Sequence, residues 1–150
     1  MRHNLLELKI RKVRRGFCGH AIVKTILEAF NSPESDEVIL KEMVSDGQLN
    51  SSDQIVGFLE ARGLETQEVE WRAEGWRGVS EQLDQGALAF TAVKNCRGGA
   101  LDHWVILPFI GKAVVIVSLG ENRVQKWQHF NRRVVSSVWV VKPRKLEEGV

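Results

Sequence analysis

The spacing of hydrophobic residues along the first part of the chain is typical of helices. Ile22, Ile26 and Phe30 recur at helical intervals, which predicts an amphipathic helix over residues 18–30. Pro33 disfavours helix in the residue before it, so we expect the Asn-Ser-Pro turn that follows Phe30 to end this helix. The chain therefore begins its regular structure with a helix that buries one face.

Further helices are predicted downstream of this first one. Residues 34–44 favour a second helix, and Gly47 follows it. A third begins near Ser51, which forms a capping box with Gln54 and precedes an apolar stripe of Ile55, Phe58 and Leu59. Gly63 suits the C-terminal turn of that helix, and a weaker helix is predicted over residues 79–83.

Strand patterns occur near the N-terminus and through most of the second half of the chain. Residues 5–13 alternate between apolar and polar side chains, which predicts an edge strand or an extended arm. Residues 64–71 alternate in the same way, which predicts a strand. Apolar, β-branched runs follow, separated by glycines, at residues 87–93, 104–109, 113–118 and 134–141. Their links are too short for crossover helices, so the sheet should be antiparallel. We predict an α+β fold in which N-terminal helices pack on a C-terminal antiparallel sheet.

Composition places this pattern in a single domain over residues 1–150. The chain is 43% hydrophobic and 27% charged with a net charge of +2, and no apolar run resembles a signal peptide or a membrane span. This favours a cytoplasmic location. A basic arm over residues 1–13 can bind an anionic partner, but it lacks aromatic interleaving and any nucleic-acid motif, so we do not expect nucleic acid. The polar tail, residues 144–150, should be frayed.

Cys18 is the first candidate for chemistry, because it lies where the first helix begins. Unpaired N–H groups and the helix dipole stabilise negative charge there, which lowers the pKa of a thiol and favours the nucleophilic thiolate. The alternative is a small buried cysteine that packs the helix start. A hydrolase would also need a histidine from elsewhere in the chain.

His103 is the histidine with the most suggestive setting. It stands at the opening of a predicted strand, after the Gly98-Gly99 loop, so its ring can face a cleft. If the sheet packs on the Cys18 helix, His103 can take the thiol proton and later protonate the leaving group. The alternative is a histidine that caps the strand beside Asp102.

These residues give the chain a resemblance to a known family. A Cys-Gly helix start, three helices and a strand opening with His and an aromatic residue resemble the papain-like peptidases that cleave bacteriocin leaders after a double glycine. Phe130, after Trp127, resembles that family's Phe before its last strand. The Josephin deubiquitinases resemble the chain more distantly, through His103-Trp104 and Gly111-Lys112. The resemblance implies a papain-like fold, a peptide or protein substrate, and catalysis by Cys18 and His103.

The chain departs from that family at two positions. Where the family has an Asp-Pro that orients the imidazole, this chain has Ser118-Leu119; we expect Ser118 to orient the ring weakly, with Glu121 or Asn122 near enough to assist. The family's oxyanion glutamine before the cysteine is also missing, since the first glutamine is Gln48. Loss of one oxyanion donor costs about 100- to 1000-fold in rate. A catalytically degenerate module that binds a peptide or protein partner is therefore the alternative function.

Metals and organic cofactors are not expected. The spacings among the cysteines and histidines match no zinc finger or ribbon, and the mechanism implied by the resemblance needs no cofactor. Gly98-Gly99 lacks the lysine and the following helix of a phosphate loop, so a hairpin turn is the better interpretation. The set considered for zinc comprises Cys18, His20, Cys96, His103 and His129.

Overall fold

The computed structural model describes Val13 and residues 18–43, 52–70, 77–94, 101–107, 113–118, 121–126 and 137–144. The elements in chain order are α1 (Cys18–Ala29), α2 (Asp36–Glu42), α3 (Ser52–Glu60), β1 (Leu64–Glu70), α4 (Arg77–Asp84), β2 (Leu88–Lys94), β3 (Leu101–Leu107), β4 (Ala113–Ser118), β5 (Glu121–Lys126) and β6 (Ser137–Pro143). For β3, β4 and β5 the description covers the backbone and the strand pairing. Predictions that fall on the basic arm before Val13, on Gln48, Ser51, Cys96, Gly98-Gly99, Trp127, His129 and Phe130, or on the tail after Arg144 lie outside the described residues.

Helix α1 is terminated by a different structural feature from the one that the sequence predicted. The helix stops at Ala29, and Asn31 adopts a left-handed conformation with φ of 59°. The Ser32 N–H donates to the Leu27 carbonyl at 2.8 Å, and the Asn31 N–H donates to the Glu28 carbonyl at 3.1 Å. This pair of bonds is a Schellman motif, which satisfies the last carbonyls of the helix before Pro33 is reached.

Helix α2 is shorter than the predicted 34–44 segment because a cap defines its start. The Val38 N–H donates to the Ser35 hydroxyl at 3.3 Å, and the carboxylates of Asp36 and Glu37 lie in the first turn, where the helix dipole stabilises them. At the other end, the Met43 N–H donates to the Ile39 carbonyl at 2.9 Å. Helix α2 is therefore capped at both of its ends.

The described strands form one antiparallel sheet in the order β1-β6-β2-β3-β4-β5. Strand β1 comes from the helical half of the chain and pairs with β6, with Leu64 opposite Pro143. Strand β5 was not predicted, because its sequence is polar apart from Val124, yet it pairs along its whole length with β4. The α+β, papain-like fold class is confirmed, with β1 as a contribution of the N-terminal half to the sheet.

One hydrophobic core joins α1, α2 and α3 to a face of the sheet. Ile22 and Ile26, predicted as the apolar face of α1, are fully buried in it together with Leu88 and Phe90 of β2. Phe90 stacks on Trp139 of β6, with ring centroids 5.6 Å apart. Burial of these side chains, each worth about 1.5–3 kcal/mol, fixes α1 against the sheet.

Helix α4 packs elsewhere on the same sheet. It contacts β2 and β6, and its Val79 and Leu83 are fully buried. Ala89 and Val140 are also buried but lie outside the core shared by α1, α2 and α3, as the alternation of strand residues between the two faces requires. Helix α4 thus covers the opposite face of β2 and β6.

Candidate functional site

Cys18 is the first residue of α1, as the sequence predicted. The helix that it begins contacts β3 and β4, the strands that carry the other two candidate residues, His103 and Ser118. The first N–H groups of a helix have no partner within the helix, so a thiolate or an oxyanion at this end is electrostatically favoured. The fold therefore places Cys18 at the start of a helix that contacts the strands of both proposed partners.

His103 lies inside β3 rather than at its opening, because the strand begins two residues earlier, at Leu101. His103 pairs with Val93 of β2, whereas Lys94 pairs with Leu101, so Asp102 is an extra residue in the ladder. This irregularity is a β-bulge, a feature that bends strands and is common next to active sites. The backbone therefore changes direction immediately before the proposed general base.

Ser118 is the last residue of β4 and lies opposite Glu121 of β5. Strands β3 and β4 pair through Val105 with Ile116 and through Ile106 with Val115. If the same antiparallel register is continued by two residues, Ser118 falls opposite His103. Glu121 follows in the same cross-strand row, whereas Asn122, opposite Val117, belongs to the next row. That Ser118 orients the imidazole stays a prediction.

A second histidine near the site, His20, is buried; from the sequence it was considered only as a possible zinc ligand. His20 lies two residues after Cys18 in the first turn of α1 and is 3% exposed. Its Nε2 lies 2.6 Å from the Met43 carbonyl oxygen at the end of α2. The available signal was its helical spacing from Val23 and Leu27, three and seven residues later, which flank the predicted apolar face; a polar residue that is buried there needs a hydrogen-bond partner.

Arg62, which follows α3, holds both ends of α2. Its Nε donates to Glu34 and its Nη2 to Glu42, each at 2.9 Å, and its Nη1 donates to the Phe58 carbonyl at 3.1 Å. The guanidinium carbon also lies 3.5 Å from the centre of the Phe58 ring. Lys24 of α1 forms a further ion pair at 2.7 Å, with Asp36 at the start of α2. The helices that support Cys18 are therefore joined by charged pairs as well as by the core.

Solved structures similar to this chain include peptidase domains. The peptidase domain of Streptococcus ComA, a bi-functional ABC transporter involved in a quorum-sensing pathway, superposes with a TM-score of 0.69 at 14% identity, over 90% of this chain and 97% of that one. The chain has the fold of a C39-type peptidase domain. This confirms the predicted resemblance to double-glycine peptidases at the level of the fold.

Two further solved structures of peptidase domains are also similar to this chain. A double glycine motif protease from an AMS/PCAT transporter, in complex with the leader peptide, has a TM-score of 0.60 at 15% identity, over 91% of this chain and 89% of that one. The N-terminal peptidase C39 like domain of the toxin secretion ATP-binding protein from Vibrio parahaemolyticus has a TM-score of 0.56 at 17% identity, over 86% and 98% of the two chains. No family model and no curated protein matches the sequence.

A membrane-spanning helix and a metal-binding cluster are both absent from the part of the chain that the structure describes. Within those residues, no helix is long and apolar enough to cross a membrane. No group of three or more histidine, cysteine, aspartate or glutamate residues there is arranged to hold a metal ion.

Proposed function

We propose that the chain is a cysteine peptidase-like hydrolase that cleaves a peptide bond with Cys18 as nucleophile and His103 as general base and acid. The observation that carries the proposal is the C39-type fold, in which α1 begins at a cysteine and contacts the strand that carries His103. The location we propose for the reaction is the cytoplasm, and the partner is a peptide or protein substrate.

The proposed reaction has two halves. The Cys18 thiolate attacks the peptide carbonyl, and the imidazolium of His103 protonates the amine that leaves as the thioester forms. His103 then takes a proton from water, which attacks the thioester and releases the acid product and the thiol. The first-turn N–H of Cys18 stabilises the oxyanion in both halves. Ser118 accepts a hydrogen bond from the imidazole and holds its orientation.

Two features of the sequence make this a slow enzyme. Ser118 has no charge to stabilise the imidazolium, and no glutamine precedes Cys18 to donate to the oxyanion. Arg14 or Arg15 is our candidate for the missing donor. The same two features favour the second candidate function, a degenerate peptidase-fold module that binds a peptide or protein partner without cleaving it. The basic arm before Val13 would then assist by contacting an anionic partner.

The test begins with the reactivity of Cys18 in a Cys96→Ser background, where it is the remaining thiol. Iodoacetamide at neutral pH should alkylate Cys18 about tenfold faster than free glutathione, because an ordinary thiol with a pKa near 8.5 is only a few per cent ionised there. Alkylation at the rate of a free thiol contradicts the proposed nucleophile.

Cleavage is tested with a peptide that contains a double glycine, since one similar structure is a double glycine motif protease bound to a leader peptide. Mass spectrometry of the products should show hydrolysis that Cys18→Ala and His103→Ala each reduce by about 1000-fold or more, whereas Ser118→Ala reduces it less. Hydrolysis that survives Cys18→Ala refutes the mechanism. Tight binding of an uncleaved peptide by the unmodified chain favours the binding module instead.

A further inference from the structure

His20 is a buried histidine that the proposed chemistry does not use. Its Nε2 lies 2.6 Å from the Met43 carbonyl oxygen, and because a carbonyl oxygen can only accept, Nε2 carries the hydrogen and donates it. The bond joins the first turn of α1 to the last turn of α2, between residues that are 23 positions apart. A buried bond of this kind links the start of one helix to the end of its neighbour.

The first turn of α1 has particular need of such a link. The opening residues of a helix donate no hydrogen bonds within it, so they fray unless tertiary contacts hold them. Gly19 separates Cys18 from His20. Apart from proline, glycine is the residue that least favours a helix. The turn that positions the Cys18 thiol is thus intrinsically weak, and His20 is its buried polar anchor.

The acceptor of this bond is itself held in place. The Met43 side chain is buried, its N–H donates to the Ile39 carbonyl at 2.9 Å, and the neighbouring Glu42 is paired with Arg62 at 2.9 Å. Lys24, one turn beyond His20 on α1, pairs with Asp36 at the opposite end of α2. Helix α2 therefore offers a fixed carbonyl to His20, and Lys24 provides a comparable link farther from Cys18.

We propose that His20 is a positioning residue, which holds the first turn of α1 in the helical conformation that activates the Cys18 thiol. The proposal rests on the proposed function in one respect, that Cys18 is the reactive group. Its structural part, the ordering of the first turn by the bond to Met43, stands on the geometry alone and has its own measurement.

The first measurement is amide hydrogen exchange along α1. In a helix that begins at Cys18, the Ile22 N–H bonds to the Cys18 carbonyl, so protection of that amide reports the first turn. His20→Phe, which keeps the bulk but removes the donor, should lower protection at Ile22 about tenfold relative to Ile26, the equivalent of one lost hydrogen bond. His20→Asn, whose amide is too short to reach Met43, should do the same if the phenylalanine variant does not fold.

Two further variants make the result specific. His20→Gln places an N–H at nearly the same reach and should restore protection at Ile22. Lys24→Met removes a second polar link between α1 and α2, the pair with Asp36, and should leave the ratio of Ile22 to Ile26 protection unchanged. Equal loss of protection at both amides in the His20 variants, or no loss at either, overturns the proposal.

The second measurement is the rate at which iodoacetamide alkylates Cys18 in the Cys96→Ser background. His20→Phe and His20→Asn should slow alkylation at neutral pH about tenfold, towards the rate of an ordinary thiol, and His20→Gln should restore it. If the unsubstituted thiol already reacts like free glutathione, the proposed function fails, and amide exchange alone decides the role of His20. A fast thiol with the same rate in all His20 variants overturns the positioning role.

Discussion

Replacing Arg62 with methionine is expected to destabilise the fold substantially, because it removes the guanidinium group and keeps the apolar stem. The side chain is only 14% exposed, and its guanidinium donates to Glu34, to Glu42 and to the Phe58 carbonyl. Arg62→Met leaves three acceptors without their common donor. They are the carboxylates of Glu34 and Glu42, just before α2 and at its end, and the Phe58 carbonyl of α3. The three hydrogen bonds tie separate segments of the chain together, so their removal should lower the free energy of global unfolding.

The magnitude follows from the exposure of each partner. The bonds to Glu34 and to the Phe58 carbonyl, which are partly buried, contribute about 1 kcal/mol each to the free energy of unfolding. The cation–π contact with the Phe58 ring adds about 0.5–1 kcal/mol. Glu42 is half exposed, so its pair adds a few tenths of a kcal/mol. Arg62→Met should therefore cost about 3 kcal/mol and lower Tm by about 6–12 °C.

Urea unfolding followed by tryptophan fluorescence measures this destabilisation. Lys142→Met is the matched control, since it removes a cation whose pair with Glu65, at 3.5 Å, is exposed on both sides and should cost less than about 0.5 kcal/mol. Arg62→Lys should recover less than half of the stability, because an ammonium group cannot reproduce the planar fork. A destabilisation below about 1 kcal/mol, or one equal to that of Lys142→Met, would refute the reasoning.

Four further substitutions test the fold by thermal unfolding. Gly63 has φ of +85°, so Gly63→Ala should lower the free energy of unfolding by about 1–2 kcal/mol. Gly57 lies in α3 with open space around an added methyl group, so Gly57→Ala should raise that free energy by about 0.5–1 kcal/mol. A change of the same sign in both variants would contradict this. Thr91→Val removes a 2.6 Å bond to the Ser137 carbonyl and should cost about 1–2 kcal/mol, and a neutral result would show that water replaces it. Leu27→Ala in the core should cost about 2.7–5 kcal/mol, and a smaller cost would mean that the cavity collapses.

The helical half of the fold could be predicted because its signals are local. The spacing of Ile22 and Ile26 defined the buried face of α1, and Cys18 was correctly placed at the start of that helix. The end of α1 was attributed to Pro33, but it depends on the left-handed conformation of Asn31, which the backbone reaches first. Sequence patterns identified the element and missed the hydrogen bonds that terminate it.

The features that the sequence did not predict are those that depend on contacts between separate elements. Strand β5 has a polar sequence, and its partner β4 supplies the hydrogen bonds that make it a strand. The bulge at Asp102 exists because β2 and β3 change register there, which neither strand's own sequence encodes. The bond from His20 to Met43 was hidden for the same reason, since it joins two helices that were predicted separately.

The position of β6 has a consequence for how the chain folds. Strand β6 is the last strand along the described chain, yet it lies between β1 and β2. On a ribosome, α1, α2 and α3 can collapse together early, but the edges of β1 and β2 stay open until β6 has emerged. Pairings as distant as Leu64 with Pro143 are slow to form, and open edges invite pairing with other chains. Cellular folding of this domain should therefore be most vulnerable just before its last strand is made.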